Sequence, residues 1–265
     1  MQHSGSGAVV DDDRRERVRR TLASGAVDVH FQPVADLRTG AVVAYEALAR
    51  FPGAPGATGL FADAALVGLG AELEELAVRW ALAGIRAGAP GVPVGLNLSP
   101  TALLSPRITD LLLSHRTDGL AVEITEHAPV EDYDALLEVT RGLRAAGIGL
   151  AVDDAGAGYA SLQHILRLEP DTIKIDIGIV SGLHRHRPRA ALVSALATFA
   201  AETGSVLLAE GIEEPAERDA LLARGVHLGQ GYLLGRPAPL PRPGRPDGPA
   251  GQLLARSGLG TALAT

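Results

Sequence analysis

Short apolar runs alternate with helical stretches along most of the chain, and this alternation restricts the possible folds more than any other feature. Segments with apolar residues at helical spacing separate most of the runs, and several of these segments end at a glycine, as helices often do. Strands that alternate with helices predict a mainly parallel sheet. The candidate strands are 27–36, 41–50, 92–99, 120–125, 148–154, 172–177, 205–211 and 226–234.

Eight strand candidates in a chain of 265 residues are typical of an α/β fold of the (β/α)8 barrel type. The first two runs are joined by the short segment LRTG, residues 37–40, and should form a hairpin. One strand is therefore expected to run antiparallel to its neighbours. We predict a modified TIM-type (β/α)8 barrel with one antiparallel strand, and a doubly wound open sheet is the alternative.

The two ends of the chain differ in composition from its centre. Residues 1–12 carry Ser and Gly and are predicted to form a flexible lead, and the Asp triplet at 11–13, where this lead ends, could cap the helix that follows. Residues 13–240 contain the barrel candidates, and residues 241–265 form a tail rich in Pro and Gly. The start has no apolar core of signal-peptide length, and no run approaches the roughly 18 apolar residues of a membrane span. We expect a cytoplasmic protein without membrane insertion.

Charge and cysteine content exclude several classes of function. The chain has no cysteine, which rules out disulfides and thiolate chemistry. Its formal net charge of −7 argues against a nucleic-acid polymer or an anionic membrane as the main partner. Hydrophobic residues make up 46% of the chain but aromatic residues only 3%, so a large core must be built from aliphatic side chains.

Polar side chains stand at the ends of most of the apolar runs. In a barrel the carboxyl ends of the strands meet at one face, and catalytic groups collect there. Carboxylates brought together in this way repel each other, and hard divalent cations such as Mg²⁺ or Mn²⁺ relieve the repulsion, because carboxylate and amide oxygens suit them as ligands. The polar residues at the run ends are Glu46, Asn97, Glu123, Asp153, Asp154, Lys174, Glu210 and Gln230.

Asp153 and Asp154 lie side by side at the end of the fifth run, directly before the segment AGAG at 155–158. The pair is stable if one aspartate bridges two cations and its neighbour binds the second. The alternative is that the two aspartates cap a helix or lie in a solvated loop. Lys174, taken alone, could be a buried lysine paired with Asp176. The coincidence of so many polar run ends favours a metal site over these readings.

Eight short motifs occur together and in order along residues 13–240, and through them the chain resembles the EAL domain, the cyclic di-GMP phosphodiesterase family of bacterial signalling. The signature Glu-Ala-Leu occupies residues 46–48. The resemblance implies a modified (β/α)8 barrel with one antiparallel strand, metal-dependent hydrolysis of cyclic di-GMP to linear pGpG, and frequently a homodimer. The motifs read FQPV, EALAR, NLSP, EITE, DDAGAGYASL, IKID, AEGIEE and GQGYLLGRP.

The resemblance also implies roles for individual residues. Two divalent cations, Mg²⁺ or Mn²⁺, would activate the attacking water, and Lys174 would hold that water or steady the developing charge. Gln230 would support the waters around the cations, and Glu126 would anchor the loop after Asp154. Glu210 is read either as a metal ligand or as the general base. The implied metal ligands are Glu46, Asn97, Glu123, Asp153, Asp154 and Glu210, and the substrate contacts are Gln32, Arg50 and Asp176.

The loop after Asp154 departs from the family pattern. Ala155, Ala157 and Ala160 stand where the family commonly has Phe, Thr and Ser, so the loop has fewer side chains to hold it. We therefore expect a slow enzyme, and we predict that Ala155→Phe combined with Ala157→Thr raises activity or dimer stability. The segment after EALAR departs as well, which alters an edge of the expected pocket.

Two other functions are compatible with parts of this pattern. A catalytically weak or inactive EAL domain would act as a cyclic di-GMP receptor or interaction module, and it would keep the pocket while losing metal ligands. An interaction scaffold would bind no nucleotide. All the expected ligands are retained here, which favours the enzyme. Retention of Gln32, Arg50 and Lys174 disfavours the scaffold.

Overall fold

Eight strands close into a barrel in the order β1 to β8 in the computed structural model, which describes residues 5–54, 56–88, 90–115, 119–125, 130, 132–155 and 159–240. Each strand overlaps one of the predicted apolar runs, so the predicted barrel is confirmed and the open sheet is excluded. The strands are β1 (Asp28–Asp36), β2 (Val42–Arg50), β3 (Val94–Leu98), β4 (Leu120–Ile124), β5 (Gly149–Ala155), β6 (Thr172–Ile175), β7 (Val206–Ala209) and β8 (Leu228–Gly229).

β1 is the antiparallel strand that the hairpin predicts. It pairs antiparallel with β2, from Asp28 opposite Arg50 to Ala35 opposite Val42. It also pairs antiparallel with β8 and so closes the barrel. The remaining neighbours, from β2 to β8, pair in parallel. The carboxyl ends of seven strands and the amino end of β1 therefore lie at the same face.

Helices surround this barrel and fill most of the connections between its strands. The predicted ends of the long helices agree with the structure to within two residues, and Gly204 caps its helix in the left-handed region with φ 74°. The helices are α1 (Gly5–Ser24), α2 (Ala57–Leu66), α3 (Gly70–Gly88), α4 (Pro100–Leu103), α5 (Pro106–Ser114), α6 (Tyr133–Ala145), α7 (Tyr159–Leu168), α8 (Ile177–Val180), α9 (Arg187–Thr203) and α10 (Pro215–Leu222).

Two hydrophobic clusters form the interior. The larger one joins the barrel strands to the surrounding helices, with Leu, Ile, Val and Ala as its main residues. The smaller one packs α1, α2 and α3 around Phe51, the residue after β2. Arg14 and Arg17 of α1 add ion pairs to Asp63 of α2, at 3.0 and 2.6 Å. α1 is therefore held against the outside of the barrel by a small core of its own.

The N-terminal helix is longer than the sequence pattern indicates. α1 begins at Gly5, so residues 5–12 are helical rather than part of a flexible lead. The three aspartates at 11–13 consequently lie inside the helix and do not cap it. Residues 1–4 and the predicted tail 241–265 lie outside the described residues. Among the helices of the described chain, none combines the length and the apolar character needed to cross a membrane.

Candidate active site

Lys174 on β6 lies at the centre of a group of carboxylates at the carboxyl ends of the strands. It is the only lysine in the chain, and its side chain is 1% exposed. Its Nζ lies 2.5 Å from Glu123 on β4 and 2.7 Å from Glu210, directly after β7. Asp153 on β5 and Glu46 on β2 follow at 3.3 and 3.7 Å. Separate strands thus bring four carboxylates to one ammonium group, as the polar run ends predict.

Two carboxamides complete the group by holding Glu46. Asn97 donates from Nδ2 to Glu46 Oε1 at 2.6 Å, and Gln230 donates from Nε2 to Glu46 Oε2 at 2.6 Å. The same nitrogen of Gln230 lies 3.0 Å from Glu210 Oε1. Gln230 is buried, and its Oε1 has no hydrogen-bond partner among the described residues. A buried acceptor-rich site with an unused carbonyl oxygen is suited to a cation or to the water around one.

Burial shifts the protonation of these groups. It raises the pKa of Glu123 to about 7, although the charge of Lys174 opposes this shift, and Glu46 and Asp153 add to it. Burial likewise raises the pKa of Glu210 to about 8, again against the charge of Lys174. Burial alone would lower the pKa of Lys174, but the surrounding carboxylates hold it well above its ordinary value. The raised pKa values show that one ammonium group does not balance the carboxylates of the cluster, so ionisation of Glu123 and Glu210 calls for further positive charge.

Asp154 joins the cluster through an uncommon backbone conformation. Its φ of 55° lies in the left-handed region, where residues other than glycine are rare, and its N–H donates to Asp153 Oδ1 at 2.9 Å. Asp153, Asp154 and Glu210 each offer a carboxylate oxygen, and these oxygens lie within 4.8 Å of one another. Oxygen donors at this spacing fit a hard divalent cation such as Mg²⁺ or Mn²⁺.

The predicted substrate residues lie around this cluster in different environments. Gln32 is opposite Glu46 in the β1–β2 ladder and donates to Gly235 O at 3.4 Å. Arg50 is exposed at the end of β2, and its Nη1 donates to Ala49 O at 3.0 Å. Asp176 follows β6 and caps α8 by accepting from Gly178 N at 2.8 Å. Glu126 lies outside the described residues.

Gly95 on β3 is a site residue that the sequence reasoning missed. A Cβ atom added at this position would lie 1.8 Å from Glu123 Oε1, so the carboxylate occupies the space that any side chain would fill. The sequence held an indication of this role, because a glycine inside an apolar strand run often marks the close approach of another group.

Lys174 and Asn97 are the single lysine and the single asparagine of the chain, and both lie in this cluster. Their rarity was a further indication of the site in the sequence.

Ala155 changes the expectation for the loop after Asp154. It is the last residue of β5, is 0% exposed and pairs with Ile175 of β6. We expect Ala155→Phe to lower the free energy of unfolding by about 1–3 kcal/mol, because added volume in a filled core causes strain.

This expected loss of stability opposes the gain in activity or dimer stability that the sequence predicts for Ala155→Phe combined with Ala157→Thr. Ala157 lies outside the described residues. Urea unfolding measures the change, with Ala62→Phe on the exposed side of α2 as control, and unchanged stability of Ala155→Phe would restore the original prediction.

Comparison with known proteins gives concordant results. The EAL domain family model matches residues 15–237. The bifunctional diguanylate cyclase/cyclic di-GMP phosphodiesterase MucR of Pseudomonas aeruginosa is 31% identical over 241 residues, which cover 84% of this chain and 34% of that protein. This chain spans about a third of the length of the curated relatives that it matches.

Solved structures resemble the barrel closely. The PaMucR phosphodiesterase in complex with c-di-GMP has a TM-score of 0.75 and 29% identity, covering 86% of this chain and 98% of that chain. The manganese/cyclic di-GMP complex of Klebsiella pneumoniae BlrP1 at pH 6 has a TM-score of 0.71 and 29% identity, covering 80% and 56%. Both similarities extend over most of the barrel that carries the cluster.

Proposed function

This chain belongs to the EAL domain family, and from that premise we propose that it hydrolyses cyclic di-GMP to linear pGpG with the help of divalent cations. The observation that carries the proposal is the cluster around Lys174, where the strands bring Glu46, Glu123, Asp153 and Glu210 within 4 Å of one ammonium group. The structures of similar proteins in complex with c-di-GMP support the choice of substrate.

Two divalent cations, Mg²⁺ or Mn²⁺, complete the proposed site. When bound, they supply Lewis-acid activation of water and neutralise phosphate charge. The excess of carboxylates over cationic side chains supports this cofactor, as does the oxygen spacing of Asp153, Asp154 and Glu210. The residues that would hold the cations are Glu46, Asn97, Glu123, Asp153, Asp154 and Glu210.

The reaction adds the oxygen of one water to phosphorus and breaks the bond to the 3′-oxygen, which leaves with a proton. Lys174 contributes a fixed positive charge for the phosphoryl oxygens, and its position among the carboxylates keeps the ammonium group in place. Glu210 serves as a ligand or takes the proton from water. Gln230 orients Glu46 and Glu210 through its amide hydrogens. No covalent intermediate on the protein is required.

Residues at the rim are proposed to bind the rest of the substrate. Arg50 is exposed at the end of β2 and is free to reach a phosphate, while Gln32 is buried beside Glu46. Asp176, two residues after Lys174 in the chain, is proposed as a further substrate contact, in addition to its capping of α8. We place the protein in the cytoplasm, where this second messenger acts.

A homodimer is the proposed assembly. Leu162 and Leu166 of α7 are 45% and 66% exposed and lie one helical turn apart, so they form an apolar strip on the surface. α7 begins at Tyr159, a few residues along the chain from Asp154, which would couple the association of two copies to the site. Sedimentation measures the assembly, and Leu166→Glu would weaken it.

The test is an assay of purified protein with cyclic di-GMP and Mn²⁺ or Mg²⁺, scored separately for nucleotide binding and for pGpG. We expect pGpG only when metal is present, and loss of turnover on chelation by EDTA. Glu46→Gln should abolish turnover, while Glu202→Gln on the exposed end of α9 should not change it. Binding without pGpG would indicate the receptor, and neither binding nor pGpG would indicate the scaffold.

A further inference from the structure

Glu74, in the second turn of α3, directs both of its carboxylate oxygens to one residue of the barrel. Ser99 donates its backbone N–H to Glu74 Oε2 at 2.7 Å and its hydroxyl to Glu74 Oε1 at 2.7 Å. Ser99 is the residue directly after β3, two positions beyond Asn97. Glu74 of α3 is therefore hydrogen-bonded to the end of β3, the strand that carries Asn97.

Glu74 makes this contact at an energetic cost. Burial raises its pKa, and the two bonds from Ser99 only partly oppose the shift. Among the residues that the structure describes, no Lys, Arg or His forms an ion pair with it, whereas the adjacent Glu75 is paired with Arg79 at 2.6 Å. An apolar side chain at position 74 would avoid the free-energy cost of removing a carboxylate from water. What a carboxylate adds is two strong, directional hydrogen bonds to one partner.

Ser99 also makes hydrogen bonds to α4 and adjoins a residue of the main core. Ser99 caps α4, since its Oγ accepts from Ala102 N at 3.1 Å, and its carbonyl accepts from Leu103 N at 3.0 Å. Leu98, between Ser99 and Asn97, is 1% exposed within the main core. The end of β3 can therefore shift only if α3 and α4 shift with it.

We propose that Glu74 is a positioning residue for Asn97. By fixing Ser99, it holds the end of β3 so that Asn97 Nδ2 stays 2.6 Å from Glu46 Oε1 and the carboxamide oxygen keeps its direction. The proposal rests on the proposed function only in that Asn97 is taken as a metal ligand. The partners that orient metal ligands commonly change metal affinity by about 10–100-fold when they are removed.

The first experiment uses the fact that Asn97 is the only asparagine in the chain. Labelling with ¹⁵N-asparagine gives a single labelled side-chain NH₂ group, whose ¹⁵N shift and pair of proton signals report the contact with Glu46 directly. We expect Glu74→Ala to shift and broaden this signal. Glu75→Ala, one residue away, should leave it unchanged. Glu74→Gln should also preserve it, because its carbonyl can accept from Ser99 N–H and its amide can donate to Ser99 Oγ.

The second experiment measures Mn²⁺ binding by calorimetry. We expect Glu74→Ala to weaken binding about 10–100-fold, and Glu74→Gln to restore most of it. Val193→Ala, on the buried side of α9, serves as a control that lowers stability without touching the site. If Glu74→Ala does not fold, Ser99→Ala, which removes the hydroxyl bond to Glu74 together with the Oγ cap of α4, should change both readouts in the same direction.

The outcomes separate this proposal from the proposed function. A Glu74→Ala variant that melts earlier but keeps the Asn97 signal and the Mn²⁺ affinity overturns the positioning role. A Glu74→Gln variant that loses the Asn97 signal and the Mn²⁺ affinity as Glu74→Ala does also overturns the positioning role. The charge of Glu74, and not its hydrogen bonds to Ser99, would then be what matters. If the wild type makes no pGpG, the proposed function fails, while the Asn97 signal still decides the role of Glu74.

Discussion

Lys174→Met should lower the turnover of cyclic di-GMP by about 10²–10³-fold at saturating Mn²⁺, the range seen when one group that stabilises a developing negative charge is removed. The same change should lower the free energy of unfolding in the presence of EDTA by about 3–5 kcal/mol, because four carboxylates lose the cation that lies among them. Glu46 and Glu123 are buried, and the side chains of Asp153 and Glu210 are 15% exposed. Single-turnover assays and urea unfolding measure the two effects, and added Mn²⁺ should restore more stability in the variant than in the wild type.

Lys174→Arg is the matched control for charge. The planar guanidinium is larger than an ammonium group and needs a different arrangement of acceptors from the four carboxylates that surround the buried Nζ of Lys174. We expect this variant to recover part of the stability but little of the turnover. Turnover of the methionine variant within tenfold of the wild type would show that Lys174 is a structural counter-ion and does not act in the reaction.

Gly95→Ala should reduce turnover and Mn²⁺ affinity by at least about 10²-fold each, since small displacements of reacting groups have effects of this size. The added methyl group would lie 1.8 Å from Glu123 Oε1, so the carboxylate must leave its place beside Lys174. Glu123 is buried and has little room to move. Calorimetry with Mn²⁺ and initial rates of pGpG formation give the two values.

Gly149→Ala is a control of the same chemistry on β5, the strand on the other side of β4 from Gly95. A Cβ at Gly149 would meet Ala121 Cβ at 3.5 Å, which is ordinary van der Waals contact. This variant should bind Mn²⁺ and turn over like the wild type. If both alanine variants behave alike, the packing of Glu123 against Gly95 has no bearing on the site.

The barrel and the centre of its site could be predicted because both depend on local patterns. Alternating apolar runs define the strands, and in a parallel barrel each strand end points to the same face. Glu46, Glu123, Asp153 and Glu210 could therefore be grouped before any contact was known, and the structure places all four around Lys174. The hairpin turn likewise predicted the one antiparallel strand.

Other features depend on contacts between distant segments, which no local pattern carries. Glu74 and Glu75 have the same sequence context, and only the packing of α3 against the end of β3 distinguishes the two. Ala155 was read as a loop residue that had lost a useful side chain, whereas the barrel buries it completely. The helical start of α1 was missed because its first residues, Ser and Gly, are poor helix formers.

The reversed direction of β1 has a mechanical consequence. In a regular (β/α)8 barrel the first strand starts on the face opposite the site. Here Asp28, the first residue of β1, pairs with Arg50 at the rim of the site, so the chain enters the barrel on the catalytic side. Trp80 of α3 holds the connection between α1 and β1 in place by donating a hydrogen bond from Nε1 to Gly25 O at 2.7 Å. A pull or twist on α1 therefore acts at the mouth of the site and need not travel through the barrel.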